Sequence, residues 1–292
     1  MLRERVAGTP IQLIEMDPAR PLGEQVRTAS ALIPSMTRID AVLMDAAPHL
    51  KLIAQFGAGL DGVDLAAAQQ RGIAVRNAPG LNAQAVAEHT LFLMLALARK
   101  LPLHQRSFEG RMIGDPPGTE LCGKTLGIVG LGATGRALAR VARGLGMEVI
   151  GLRQRAAAGD PDASWVGGPD ELDALLGRAD FVSLHVPASA ATRGLIDARH
   201  LALMKQSAYL INVGRGELVD RPALIEALRQ RRIAGAGLDV FWQEPPDPTD
   251  PLLAMDNVVA TPHLGGVTVE ALGRIADRVV AILTEHLLSE PA

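Results

Sequence analysis

The chain has 292 residues, enough for one large domain or two ordinary ones, and 48% apolar with 21% charged residues is a globular composition, not that of a fibre or a disordered tail. Lys plus Arg number 29 against 32 Asp plus Glu, a net charge of −3, which argues against a nucleic-acid partner. The single cysteine, Cys122, excludes an internal disulfide and a cysteine zinc cluster, and the seven histidines include no H-E-x-x-H or comparable pair, so no metal site is expected.

In chain order, the start (Met1-Leu-Arg-Glu-Arg-Val) lacks the apolar core of a signal peptide. Residues 11–16, 31–34, 50–56 and 73–76 read as strands separated by helical or turn segments. A long helix is expected over 83–101; its strongly apolar part, Thr90 to Ala98, is too short to span a bilayer. A cytoplasmic protein with no membrane partner is therefore expected. The Pro/Gly clusters at 114–118 and 244–248 are loops. Thr125-Leu-Gly-Ile-Val129 is a short apolar run of buried parallel-strand type, and residues 133–145 place Ala137, Leu138, Val141, Ala142 and Leu145 on one helical face. Strands at 148–152, 180–186, 208–213, 233–240 and 257–260 alternate with helices at 170–176, 198–204 and 222–230, the last with Pro222 at its start. A final helix covers 268–288 and is long enough to return to the first part of the chain. Such alternation builds a parallel sheet covered on both faces.

Gly130-Leu-Gly132-Ala133-Thr134-Gly135 is a G-x-G-x-x-G placed between a strand and a helix, the context that makes it a dinucleotide fingerprint. The first glycine permits the tight turn, the second a close approach to a pyrophosphate, and the third close helix–strand packing. An NAD-type site then carries Asp or Glu after the next strand, to bind the ribose hydroxyls. Here the sequence is Leu152-Arg153-Gln-Arg155, and an arginine fork suits a 2′-phosphate, so NADP is the favoured cofactor over NAD.

Six further segments occur in order: Gly57-Ala58-Gly59-Leu-Asp-Gly-Val-Asp64, Asn77-Ala-Pro-Gly80, Val86-Ala-Glu-His89, Asn212-Val-Gly-Arg-Gly216, Gly237-Leu-Asp-Val-Phe-Trp-Gln-Glu-Pro245 and Thr261-Pro-His-Leu-Gly-Gly266. Together they resemble the D-isomer-specific 2-hydroxyacid dehydrogenases from about residue 50 to 280. The resemblance implies an α/β protein with a Rossmann-type doubly wound nucleotide-binding domain at 95–263. It also implies a smaller, discontinuous, flavodoxin-like α/β substrate domain at 1–94 and 264–292. It implies reduction of a small 2-keto acid, of the glyoxylate or hydroxypyruvate class, to the D-2-hydroxy acid. Arg215 would bind the substrate carboxylate and keto oxygen, together with backbone groups of Ala58 and Gly59. His263 would be the acid/base, and Glu244 its carboxylate partner. The cofactor would be met by the glycine loop, by Arg153 and Arg155, by His185, Val186, Pro187 and Thr192, and by Val213, Gly214, Asp239, His263 and Gly265, with Asp239 accepting from the carboxamide. A homodimer built on the region 83–121 is also implied.

Three features depart from the family pattern. Gly62 stands where many relatives have Asn, and Phe108-Glu-Gly-Arg-Met112 stands in a pocket-shaping loop where many have Trp. The start is also short, so an early strand is expected to be absent and a sheet edge unpaired. Two alternatives share the motifs: a phosphoglycerate dehydrogenase-like enzyme, and a non-enzymatic dinucleotide-sensing regulator of the corepressor type.

Overall fold

The computed structural model describes residues 1–107, 110, 113–155 and 159–288. Apart from Gly110, the loop 108–112 singled out above lies outside these. Contacts divide the chain into two compact units, residues 1–82 with 267–292, and residues 83–266.

The first unit opens with the short helices α1 (Leu2–Arg5) and α2 (Leu22–Gln25). It continues through β1 (Ala31–Leu32), α3 (Ala41–Asp45), β2 (Leu52–Ala54), α4 (Leu65–Gln70) and β3 (Ala74–Arg76). The three strands pair in parallel in the order β1-β2-β3, fewer than the five of a flavodoxin-like sheet. Asp40 and Asp64 cap α3 and α4, each carboxylate accepting from the backbone three residues on, at 2.9 Å. Alternation along β2 sends Ile53 into one core with Leu43, Met44 and Ala68, and Leu52 and Ala54 into another. Residues 11–16, expected as a strand, form no ladder. Ile11 and Met16 pack inward while Ile14 is exposed, so the apolar alternation is satisfied by packing alone.

The second unit runs through α5 (Ala83–Ala98), α6 (Leu101–Ser107), β4 (Thr125–Val129), α7 (Ala133–Gly144), β5 (Glu148–Leu152) and β6 (Trp165–Gly167). After these come α8 (Leu172–Arg178), β7 (Phe181–Leu184), α9 (Ala198–Leu203), β8 (Tyr209–Asn212), α10 (Arg221–Arg229), β9 (Gly235–Leu238) and β10 (Val258–Ala260). Seven strands pair in parallel in the order β10-β9-β8-β7-β4-β5-β6, the expected doubly wound α/β architecture. The β4 side chains alternate between two cores. Leu126 and Ile128 join Leu93, Met94 and Leu97 of α5 and Leu138 of α7, while Val129 joins Leu175, Leu201 and Leu224 of α8, α9 and α10. The helix α11 (Val269–Leu287), capped by Thr268, returns to the first unit, where Ile275, Val279 and Ile282 pack on Leu52 and Ala54.

The structure refines the expected elements in three places. β6 is an unforeseen strand, only three residues long and bounded by Ser164 and Gly168. The helix expected over 83–101 breaks at Lys100, whose φ of 51° is left-handed, so α6 starts afresh. A boundary at 94/95 would cut α5, yet Leu93, Met94 and Leu97 share one buried cluster with α7, so the helix belongs whole to the second unit. Among the described residues no helix is long and apolar enough to cross a membrane. Nor does any group of His, Cys, Asp and Glu there suit a metal ion.

Leu93 is fully buried in this cluster. Leu93→Ala is expected to cost about 2–5 kcal/mol of stability. Denaturant unfolding that leaves the midpoint unchanged would mean that α5 does not hold the second unit together.

Candidate active site

The glycine loop is built for close approach. Gly130 has φ +107°, and a side chain there would strike the backbone of His185 at 2.9 Å. Gly135 abuts the Gly130 carbonyl, so α7 starts tight against the turn. By contrast, a Cβ on Gly132 would meet nothing within 4 Å, and Gly132 and Ala133 are exposed. Gly132 caps α7 without a side-chain acceptor, so the helix N-terminus presents uncapped N–H groups over open space. That cradle fits a pyrophosphate. His185 donates its backbone N–H to Val129 O at 2.8 Å, and its Nε2 lies 2.8 Å from Ser183 Oγ. Burial pushes the His185 imidazole down to about 4, so it is neutral at physiological pH. The Thr192 hydroxyl donates to Pro187 O at 2.7 Å and accepts from Ser189 N at 2.8 Å, closing the turn after Val186 and Pro187.

Arg215 follows β8 on a turn braced by a side chain. The buried Asn212 donates from Nδ2 to Arg215 O at 2.8 Å and accepts from Gly214 N at 3.1 Å. Gly216 presses on the Phe241 backbone, leaving no room for a Cβ. Arg215 is half-buried in extended conformation, with Nη1 donating to Gly214 O at 2.7 Å. Val213 and Gly214 are half-buried on the same turn.

His263 and Glu244 form a pair, Nδ1 to Oε2 at 2.7 Å, with side chains 32% and 23% exposed. Glu244 is held at both oxygens, since Oε1 accepts from Phe241 N at 3.0 Å. Burial alone would push the Glu244 carboxyl up, but the bonds from His263 and Phe241 and the charges of His263 and Arg215 hold it below its ordinary 4.5. An ionised carboxylate only accepts, so Nδ1 carries a proton and Nε2 is the ring's outward nitrogen.

His263 has φ +57°, a left-handed backbone that costs a non-glycine residue roughly 1–2 kcal/mol. Asp239, 2% exposed, offsets that cost. Its Oδ1 accepts from Thr261 Oγ1 at 2.6 Å and Leu264 N at 2.8 Å, and its Oδ2 from Gly265 N at 2.8 Å. Its backbone carbonyl accepts from His263 N at 2.8 Å. His89 completes the cluster, with Nε2 at 2.8 Å from Thr261 Oγ1 and 3.2 Å from Asp239 Oδ1. The Thr261 proton is spent on Asp239, so His89 Nε2 must be the donor. Burial would push the Asp239 carboxyl up, but these hydrogen bonds outweigh it and hold it below the ordinary range. His89, Asn212 and Thr261 lie within the motifs, but no spacing rule assigns them a role; their hydrogen bonds do. Asp239, expected to accept from a carboxamide, also binds the loop that carries His263.

Arg153, at the end of β5, keeps its backbone N–H on Gly167 O at 3.1 Å. Its guanidinium folds inward, Nη2 donating to Gly159 O at 2.6 Å, whereas Arg155 is exposed. In the first unit, Gly57 has φ +150°, and Asn77 Nδ2 donates to Ala58 O at 2.7 Å, fixing the Ala58–Gly59 loop after β2.

The family model described as "D-isomer specific 2-hydroxyacid dehydrogenase, NAD binding domain" matches residues 91–265, and the chain belongs to that family. A D-3-phosphoglycerate dehydrogenase of Methanocaldococcus jannaschii is 41% identical over 252 residues, covering 85% of this chain and 48% of its own. The chain thus spans about half the length of that relative. A glyoxylate reductase of Korarchaeum cryptofilum is 39% identical over 266 residues, covering 88% of this chain and 79% of its own. Among solved structures, an NADPH-dependent glyoxylate/hydroxypyruvate reductase of Sinorhizobium meliloti, in complex with NADP and malonate, superposes with a TM-score of 0.79 at 34% identity. It covers 90% of this chain and 83% of its own.

Asp239→Asn replaces an acceptor oxygen by an amide N–H facing donors. It is expected to lower the unfolding free energy by about 1–3 kcal/mol. An unchanged denaturation midpoint would show that the carboxylate does not hold the His263 loop.

Proposed function

We propose that this chain reduces a small 2-keto acid of the glyoxylate or hydroxypyruvate class to the D-2-hydroxy acid, with NADPH as the preferred reductant. The observation that carries this reading is the His263–Glu244 pair at 2.7 Å, close enough to Arg215 for the guanidinium charge to act on Glu244. A nicotinamide cofactor bound over the glycine loop would supply the hydride. Reduction of a ketone builds negative charge on its oxygen, so a proton donor must stand beside it. His263 gives that proton from Nε2 while Glu244 holds Nδ1 and stabilises the imidazolium. Arg215 offers a planar fork to the carboxylate and the adjacent keto oxygen. The Ala58–Gly59 loop offers backbone N–H groups suited to a carboxylate. The 41% identity to a D-3-phosphoglycerate dehydrogenase favours a second reading, a phosphorylated 3-carbon hydroxy acid as substrate. Assays of glyoxylate, hydroxypyruvate, pyruvate and 3-phosphohydroxypyruvate with each cofactor separate the two readings; turnover of none sinks both.

We assign the outer face of α5, with Phe92, Leu95 and the following Leu101 exposed, to a second copy of the chain. Light scattering is expected to give twice the 30.8 kDa chain mass, with roughly 2,000 Å² or more buried. A monomer at micromolar concentration would exclude this assignment.

His263→Ala is expected to lower kcat by about two to four orders of magnitude. A near-normal kcat at neutral pH would remove it from the role. Glu244→Gln takes away the carboxylate that holds Nδ1 and is expected to lower kcat, though less than His263→Ala; an unchanged kcat would exclude the pair from the step. Glu244 also bears on stability against pH. Glu244 sits below its ordinary 4.5, so its stabilising contribution is complete above that pH and is lost as pH falls through the lower folded value. The Gln variant should lack that limb of the stability curve.

Arg153 and Arg155 favour a 2′-phosphate, and one charge-assisted bond of about 1.5 kcal/mol corresponds to roughly a tenfold preference. NADPH should therefore give the higher kcat/KM, by a margin that shrinks as salt rises. A higher kcat/KM with NADH at low salt would overturn the cofactor assignment.

A further inference from the structure

The end of β5 lacks the carboxylate of an NAD-type ribose site, yet a carboxylate stands in the same corner. Asp160 is seven positions beyond Arg153 in the chain, and its side chain is only 2% exposed. Its Oδ1 accepts from Asp162 N at 3.1 Å, an Asx turn that fixes the carboxyl group. Its Oδ2 lies 3.0 Å from Arg136 Nε and 3.9 Å from Arg153 Nη1. Arg136 is the residue after Gly135 in the first turns of α7, and its side chain is 56% exposed. Arg143, two turns further along α7, reaches the same loop at Pro161 O and at Asp162 Oδ1, the latter at 3.4 Å. The segment from Gly159 to Asp162 is thus strapped to the helix that begins at the glycine loop. Arg153 itself is 14% exposed, and its Nε is buried with no hydrogen-bond partner among the described residues.

We propose that Asp160 is a specificity-determining residue of the adenosine ribose site. It acts as a covered countercharge that weakens the pull of Arg136 and Arg153 on a 2′-phosphate and so narrows the preference for the phosphorylated over the unphosphorylated ribose. This rests on the reading that a dinucleotide lies over Gly130–Gly135.

A 2′-phosphate carries close to two negative charges, so it feels both guanidinium groups and is repelled by the carboxylate between them. A 2′-hydroxyl carries no charge and is nearly indifferent to all three. Because Asp160 is covered, it is not placed to accept from ribose hydroxyls as an Asp at the strand end would. Its effect on selectivity therefore runs through the field, and neutralising it must favour the phosphorylated ligand alone. Removing Arg136 must do the reverse, since Asp160 then stands against Arg153 alone.

The test is calorimetric binding of adenosine 2′,5′-bisphosphate and of 5′-AMP to the protein without substrate, at low salt. In Asp160→Asn the bisphosphate should bind about tenfold tighter and 5′-AMP within about twofold of the parent. In Arg136→Met the bisphosphate should weaken several-fold while 5′-AMP is again retained. The proposal is overturned if Asp160→Asn leaves the ratio of the two affinities unchanged or lowers it. Equal loss of both ligands also overturns it, because Asp160 would then be a structural tie. A parent protein that binds neither ligand removes the dinucleotide reading along with this one. A parent that binds both, with an unmoved ratio in the variants, removes this inference only.

Discussion

The candidate catalytic histidine depends on a carboxylate that is not its partner. Asp239 closes a loop in which Thr261, Leu264 and Gly265 all donate to one buried group. Only that closure makes a left-handed backbone at His263 sustainable. Charge-assisted hydrogen bonds contribute about 1.5–3 kcal/mol each, so a few of them exceed the cost of a single left-handed residue. Once the backbone is fixed, the imidazole is aimed, and Glu244 sets which nitrogen carries the proton. Gly265 belongs to the same device, because a Cβ there would press on Asp239 Oδ2 at 2.8 Å.

Crowded glycines do comparable work at the other strand ends. Gly216 packs on the Phe241 backbone, which links the turn bearing Arg215 to the segment that donates to Glu244. Gly135 packs on Gly130, which starts α7 immediately after β4. The parallel sheet brings the ends of β4, β7, β8, β9 and β10 to one edge, the ordinary place for a ligand in this architecture.

The second unit was largely legible in the sequence because its strands are continuous apolar runs and α7 and α10 carry clear amphipathic faces. β6 was not legible, since Trp165-Val-Gly167 lies between the Gly, Asp, Pro and Ser of 159–164 and the Gly168-Pro169-Asp170 turn. The first unit was harder. Residues 11–16 alternate like a strand, but alternation reports which side chains face inward, not whether a neighbouring strand is present to pair. The residues proposed to act directly, Arg215, Glu244 and His263, were legible as motif members. The residues that hold them were not, because a buried Asn, Thr or second His has no spacing rule. Asn212, Thr261 and His89 emerge only when their hydrogen bonds are traced. The bracing part of Asp239 shows the same limit, since its type and position do not reveal the donors it collects.

Three acidic residues in this unit show that partners, not residue type, assign the work. Asp239 is covered and accepts from Thr261, Leu264, Gly265 and His89, so its charge is spent on geometry. Glu244 is partly open and shares its second oxygen with a titratable ring, so its charge is available to a proton-transfer step. Asp160 is covered but faces cations, so its charge is exported as a field rather than as a bond to ligand. Burial alone would push Asp239 and Glu244 toward neutrality. What keeps Asp239 and Glu244 ionised is a donor set fixed by neighbouring backbone, and those donors come from turns that the crowded glycines force into shape. The electrostatics of the site is therefore a consequence of backbone packing at the sheet edge, and substitutions at those glycines should act on chemistry through charge placement before they act through shape.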